Sequence, residues 1–145
     1  MTDTILDRAN VVAAGAATTR EEAIREAGAL LLAAGAVEPG YTESMRQREE
    51  TVSTFMGNGL AIPHGTNESK DEIKRSALSF VRYSSPLDWG GEEVRFVVGI
   101  AGQNDEHLEI LSKIAILFSE EDDVRSLIEA PDADALFALL SDVNE

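Results

Sequence analysis

The sequence predicts an α/β fold in one domain, residues 1–145. Three observations point there. Val94 to Ala101 is almost continuously apolar, as expected of a strand buried on both faces in the middle of a sheet. Gly102-Gln103-Asn104-Asp105 then turns the chain into a stretch, about Glu106 to Phe118, whose apolar residues recur at helical spacing. Ahead of both, a well-capped helix and an alternating strand are set apart by turn residues, so helices and strands interleave along the chain. This punctuation gives the class and leaves strand order open.

From the start, residues 5–17 carry little pattern; Ile5 and Leu6 are candidates to pack on the domain, and Val11-Val12 suits a short strand. A helix begins at Thr18 or Thr19, each followed three residues on by a glutamate, as in a capping box. Ala23, Ala27, Leu30 and Leu31 mark its inner face, and Gly35 is placed to end it, because glycine accepts the left-handed cap conformation. Val37-Glu38-Pro39-Gly40 connects it to a second, more polar helix, about Tyr41 to Glu50, anchored by Tyr41 and Met45. Arg46 and Arg48 fall in its last turns, where cations suit the helix dipole. Asn58-Gly59 is a two-residue hairpin signal flanked by Thr54-Phe55-Met56 and Leu60-Ala61-Ile62. Asn67 to Arg75 is polar and reads as a loop or short turn. Ser76 to Arg82 reads as a strand with Leu78 and Phe80 on one face, ended by Ser84-Ser85-Pro86. Leu87 to Gly91 reads as a loop carrying Trp89, the only tryptophan, as a packed anchor. Two short helices close the chain, about Glu121 to Glu129 and Asp134 to Leu140, with Pro131 between them.

Composition narrows the function classes. Acids outnumber bases 27 to 12, for a formal net charge of −15. That disfavours nucleic acid, whose phosphates call for clustered Lys and Arg, and it disfavours docking on an anionic membrane by charge. There is no Cys, so neither disulfide nor thiol chemistry, which fits a cytoplasmic location. No basic segment precedes an apolar run at the start, and no stretch approaches the roughly 20 apolar residues that span a bilayer.

The chemistry centres on Gly57 to Thr66. Pro63 holds Ile62 extended and cannot donate to a ladder, so the second hairpin strand stops there and His64 emerges at its end. Gly65 lets a partner approach the backbone. An imidazole so placed can be acid or base, metal ligand, or acceptor of a group on a ring nitrogen, or simply a turn residue. The metal reading lacks a motif: the only other histidine is His107. Helical spacing puts His107 with Leu111, Ile114 and Phe118, facing inward in a first turn, where the dipole favours an anion and a neutral ring.

Glu49, six residues, Met56-Gly57, two residues, then Leu60-Ala61-Ile62-Pro63-His64-Gly65 resembles the phosphohistidine signature of the fructose/mannitol class of enzyme IIA, a component of the phosphoenolpyruvate-dependent sugar phosphotransferase system. Glu21-Glu22-Ala23-Ile24, Val37-Glu38-Pro39, Met45 to Glu49, and Asn104-Asp105-Glu106-His107 also fall where that class has like segments. Within the class the likeness is greatest to mannitol-specific members.

The resemblance implies a mixed central sheet with helices on both faces. It implies that His64 is phosphorylated on Nε2, that His107 is the second active-site histidine, and that Arg48 faces the phosphate. A guanidinium fork and an imidazole N–H would both suit phosphoryl oxygens. The implied donor is the phosphocarrier protein HPr. The implied acceptor is the cysteine of a IIB domain, associated with a membrane IIC permease, with no cofactor and no metal. With no Cys and no apolar spans of its own, the chain is expected to work in trans with IIB and IIC. Glu49 matches the acid that opens the signature, without an assigned chemical role beyond tying down a helix end. Access for protein partners calls for a shallow site with an apolar rim, for which Met56, Leu60 and Leu108 are candidates. The rival reading is a regulatory IIA-like phosphoprotein that signals through protein contacts; a metal-dependent enzyme built on both histidines is a third.

Overall fold

The computed structural model describes residues 5–51, 53–65, 71–102 and 106–140, without the side chains of 106–108. Among these, the central sheet holds five strands: β1 (Val11–Val12), β2 (Phe55–Gly57), β3 (Leu60–Ala61), β4 (Ala77–Trp89) and β5 (Glu92–Ala101). Their order is β1-β4-β5-β3-β2. β1 runs parallel to β4 and β3 parallel to β5, while β4–β5 and β2–β3 are antiparallel. The sheet is therefore mixed, as expected.

Helices cover both faces. α1 (Arg20–Ala33) and α2 (Tyr41–Thr51) lie on one, where Ile24, Leu31, Tyr41 and Met45 join Val81, Val94 and Val97 in one buried cluster. α3 (Glu106–Leu117), α4 (Glu121–Glu129) and α5 (Ala133–Leu140) lie on the other, where Ile110, Ile114, Leu127 and Leu136 join Phe80, Phe96 and Val98. Burial on both faces is why β5 is apolar almost without interruption. α1 comes closest at the centre: a Cβ on Gly99 would meet Ser79 Oγ at 2.5 Å and Ala27 Cβ at 3.0 Å. No helix among the described residues is long and apolar enough to cross a membrane.

Local signals act as the sequence suggests at α1. Thr19 caps it, accepting from the Glu22 N–H at 3.2 Å, while the Glu22 carboxylate accepts from both the N–H and the hydroxyl of Thr18 at 3.0 Å. Gly35, at φ +75°, ends the helix in a Schellman pattern, with Ala36 N–H donating to Leu31 and Gly35 N–H to Leu32.

The fourth strand departs from expectation. Ser84-Ser85-Pro86 does not end it; β4 continues to Trp89 and then turns through Gly90-Gly91 into β5. The β4–β5 register shifts between Arg82 and Leu87, and Pro86 sits within that irregularity. A bulge is the one place inside a sheet where a missing N–H does little harm. Trp89 is a packed anchor, 1% exposed, but on a strand rather than a loop. Residues 67–70 of the expected 67–75 loop, and 103–105 of the expected turn before α3, lie outside the described residues.

Candidate functional site

The hairpin forms as its turn predicts. Asn58 and Gly59 both take positive φ, 51° and 77°, which matches the twist of the strands they join. Asn58 Nδ2 also donates to the Phe118 carbonyl at 2.7 Å, tying the turn to the far end of α3. β3 then pairs with β5, Leu60 against Phe96 and Ala61 against Val97. Beyond Pro63 the same register continues as a single parallel bridge between His64 and Ile100. His64 thus stands at the carboxyl end of β3, beside the carboxyl end of β5. Adjacent carboxyl ends of parallel strands are where open α/β sheets place ligands.

The ring of His64 is half-buried and its Nδ1 lies 2.9 Å from the Ile62 carbonyl oxygen. A carbonyl can only accept, so Nδ1 carries the proton. In the neutral ring this leaves the lone pair on Nε2. Burial holds the imidazole pKa below its usual 6.5, and the Arg48 charge adds to the lowering. The Ile62 carbonyl and the Glu49 carboxylate oppose it less strongly. At neutral pH the ring is therefore uncharged and nucleophilic at Nε2.

Three hydrogen bonds fix the backbone around it. Ile100 N–H donates to the Pro63 carbonyl at 3.0 Å. Gly65 N–H donates to the Tyr41 hydroxyl at 2.9 Å, and that hydroxyl donates to the Ile100 carbonyl at 2.8 Å. Thr66, next in the chain, lies outside the described residues.

Arg48 is half-buried near the end of α2, close enough for its charge to be felt at His64. Its neighbour Glu49 is 5% exposed. The Glu49 carboxylate accepts from Thr54 N–H at 2.9 Å, from the Thr54 hydroxyl at 2.6 Å, from the Ser53 hydroxyl at 3.4 Å, and from the Trp89 indole N–H. The expectation that Glu49 ties down a helix end is met, and the tie reaches further, joining α2 to the hairpin entrance and to β4. Position 107 falls in the first turn of α3, and the His107 side chain lies outside the described residues.

Of the three expected rim residues, Met56 is 49% exposed. Leu60 is 1% exposed and belongs to the core, because its place opposite Phe96 points it under α3 rather than at solvent. Leu108 lies outside the described residues. Sequence reasoning took Tyr41 only as an apolar anchor and missed its hydroxyl contacts. Nothing in its spacing could show them, because Gly65 and Ile100 are distant in sequence.

Among the described residues, no three or more of His, Cys, Asp and Glu are grouped to hold a metal ion.

The chain is similar to known proteins over almost its whole length. The profile of the family described as "Phosphoenolpyruvate-dependent sugar phosphotransferase system, EIIA 2" matches residues 4–143. The mannitol-specific phosphotransferase enzyme IIA component of Halalkalibacterium halodurans is 48% identical over 145 residues, all of both chains. That of Staphylococcus aureus is 50% identical over 118 residues, 81% of this chain and 82% of the other. The crystal structure of IIA mannitol from Escherichia coli superposes with a TM-score of 0.85 at 34% identity, covering 92% of this chain and 97% of that one. A chain in the complex of enzyme IIA mannitol with phosphorylated enzyme IIB mannitol, also from Escherichia coli, gives 0.86 at 33% identity, covering 92% and 94%. The chain belongs to the EIIA type 2 family of the phosphoenolpyruvate-dependent sugar phosphotransferase system, and is a phosphotransferase component.

Proposed function

We propose that this chain is the phosphoryl carrier of a mannitol uptake system: His64 accepts a phosphoryl group on Nε2 from the phosphocarrier protein HPr and passes it to the cysteine of a IIB domain. The single observation that carries the reading is the Nδ1–H donated to the Ile62 carbonyl, which leaves Nε2 as the reactive nitrogen. The Nε2 lone pair attacks phosphorus in line, forming a new N–P bond as the donor's N–P bond breaks. The departing imidazole takes the bonding electrons and regains a proton from solvent. In the second step the IIB thiolate attacks, an S–P bond forms, and His64 leaves as a neutral ring. Charge spreads over the equatorial oxygens in each transition state, so placed cations and N–H donors are the main resource. Arg48 supplies one such donor fork and His107 a second donor. The first turn of α3 adds N–H groups and the positive end of its dipole.

The IIB partner and mannitol are supported by the relatives' names and by the solved IIA–IIB complex. A IIC permease would complete the system, with this chain working in the cytoplasm.

The regulatory reading retains one support: a nitrogen regulatory protein IIA from Neisseria meningitidis superposes at TM-score 0.77 with 28% identity. Identity of 48% across the full length to a mannitol-specific IIA favours transport.

The deciding experiment incubates the chain with phosphoenolpyruvate, enzyme I and HPr, then with mannitol IIB. One acid-labile phosphate, absent from His64→Ala and discharged to IIB, is the expected result. Labelling of His64→Ala at the normal level would overturn the site, and failure to discharge to IIB would favour the regulatory reading.

A further inference from the structure

The Tyr41 hydroxyl occupies an unusual place: it stands inside a β-ladder. Parallel pairing between His64 and Ile100 calls for two backbone links, one on each side of His64. The first, Ile100 N–H to the Pro63 carbonyl, is direct at 3.0 Å. The second runs through the phenol, from Gly65 N–H to Tyr41 Oη at 2.9 Å and from Tyr41 O–H to the Ile100 carbonyl at 2.8 Å. The hydroxyl therefore ties Gly65 to β5 on the side where the chain leaves His64.

We propose that Tyr41 is a positioning residue for phosphoryl transfer, its inserted hydroxyl setting the angle at which His64 leaves the sheet. The proposal rests on His64 as the phosphoryl carrier. Three observations support it. Tyr41 is 2% exposed, so water cannot substitute for the hydroxyl without opening the core. The phenol pKa is pushed up to about 12 by burial, so the O–H stays a donor throughout the working range of pH. Tyr41 is also the first residue of α2, the helix that carries Arg48 two turns later. One element thus holds both the backbone next to His64 and the arginine whose charge is felt at its ring.

Tyr41→Phe in the full chain keeps the ring and removes the link. Gly65 N–H and the Ile100 carbonyl then lose their shared partner, and the backbone that carries the imidazole is expected to shift. Single-turnover transfer from phosphorylated HPr is expected to slow on the order of 10- to 100-fold at saturating donor, with the half-saturating concentration little changed. The ¹⁵N shifts of the unphosphorylated His64 ring are expected to move as well, with less protonation bias toward Nδ1. Wild-type transfer and wild-type ring shifts, with only thermal stability lowered, would overturn the proposal and leave Tyr41 as packing. Should the variant fail to fold, 3-fluorotyrosine at position 41 keeps the bulk and alters both hydrogen bonds. Changed ring shifts and transfer rate would then support the proposal, and unchanged values would overturn it. The ring shifts need no phosphate, so they judge Tyr41 even if wild-type chain accepts none and the carrier reading fails.

Discussion

Trp89 donates its indole N–H to the carboxylate of Glu49, joining the end of β4 to the end of α2 inside the protein. Both residues are buried, and the same carboxylate receives the N–H and hydroxyl of Thr54 as the chain enters the hairpin. A charge in such a place is tolerated only because its oxygens are met by donors on all sides. The knot also locates the site: α2 brings Arg48, and the hairpin brings His64.

Glu49→Ala is therefore expected to destabilise the fold by about 2–4 kcal/mol, because it strands the Trp89 and Thr54 donors without partners. Glu49→Gln keeps one oxygen acceptor and should cost only about 1 kcal/mol. Urea unfolding followed by Trp89 fluorescence measures both. Equal costs for the two substitutions would mean that the carboxylate's charge, rather than its acceptor geometry, holds the knot together.

Protonation of His64 gives a second test. Its folded pKa lies below the usual 6.5, chiefly through burial, whereas the unfolded ring titrates near 6.5. Phosphoryl acceptance needs the neutral ring, so its rate should hold steady as pH falls to 6.5 and decline only below that. The same shift links to stability. The unfolded chain takes the proton first, so the neutral ring's contribution is complete above 6.5 and is lost as pH falls toward the lower folded value. Direct NMR titration of the imidazole, beside rapid-mix rates, checks both. A ring pKa above 6.5 would contradict the burial and Arg48 effects.

Much of this was readable in the chain itself, wherever the signal is local. Thr19 with Glu22 caps α1, Asn58-Gly59 turns the hairpin, and β3 ends ahead of Pro63 and His64. What stayed hidden depends on partners distant in sequence. Ser84-Ser85-Pro86 looks like a strand end until β5 is seen to carry the pairing across the bulge. Glu49 looks like an ordinary helical acid until Trp89, 40 residues away, is folded against it. Tyr41 looks like an apolar anchor because its hydroxyl partners are 24 and 59 residues further along.

Arg48 and His107 test the electrostatic account of transfer. Arg48→Lys keeps the charge but loses the fork, and His107→Gln keeps a donor of similar size in a first helical turn. Removing one strong transition-state donor costs about 10²- to 10³-fold. Arg48→Ala is expected to slow transfer by that much, Arg48→Lys by roughly a tenth of it, and His107→Gln by an intermediate factor. Arg48→Ala should also raise the His64 pKa, since the arginine now lowers it. Rates are to be read with circular dichroism on the same samples. Transfer at the wild-type rate in an intact Arg48→Ala or His107→Gln protein would exclude that residue as a donor to the transferring group.

Encounter with the donor should bear the mark of net charge. The chain carries 15 more acids than bases. Against a donor with a basic face, long-range attraction concentrates encounters and orients them before contact, raising the association rate more than the final affinity. Between exposed charges this attraction fades once the separation exceeds the Debye length, roughly 10 Å at 0.1 M salt. The half-buried His64 and Arg48 are shielded from most of that screening, so the chemical step should respond less. Stopped-flow transfer from phosphorylated HPr, followed from low to moderate salt, should therefore show association slowing several-fold while the rate at saturating donor changes little. An association rate that stays flat or rises with salt would show that short-range contacts, such as those offered by exposed Met56, govern docking without help from the acidic surface.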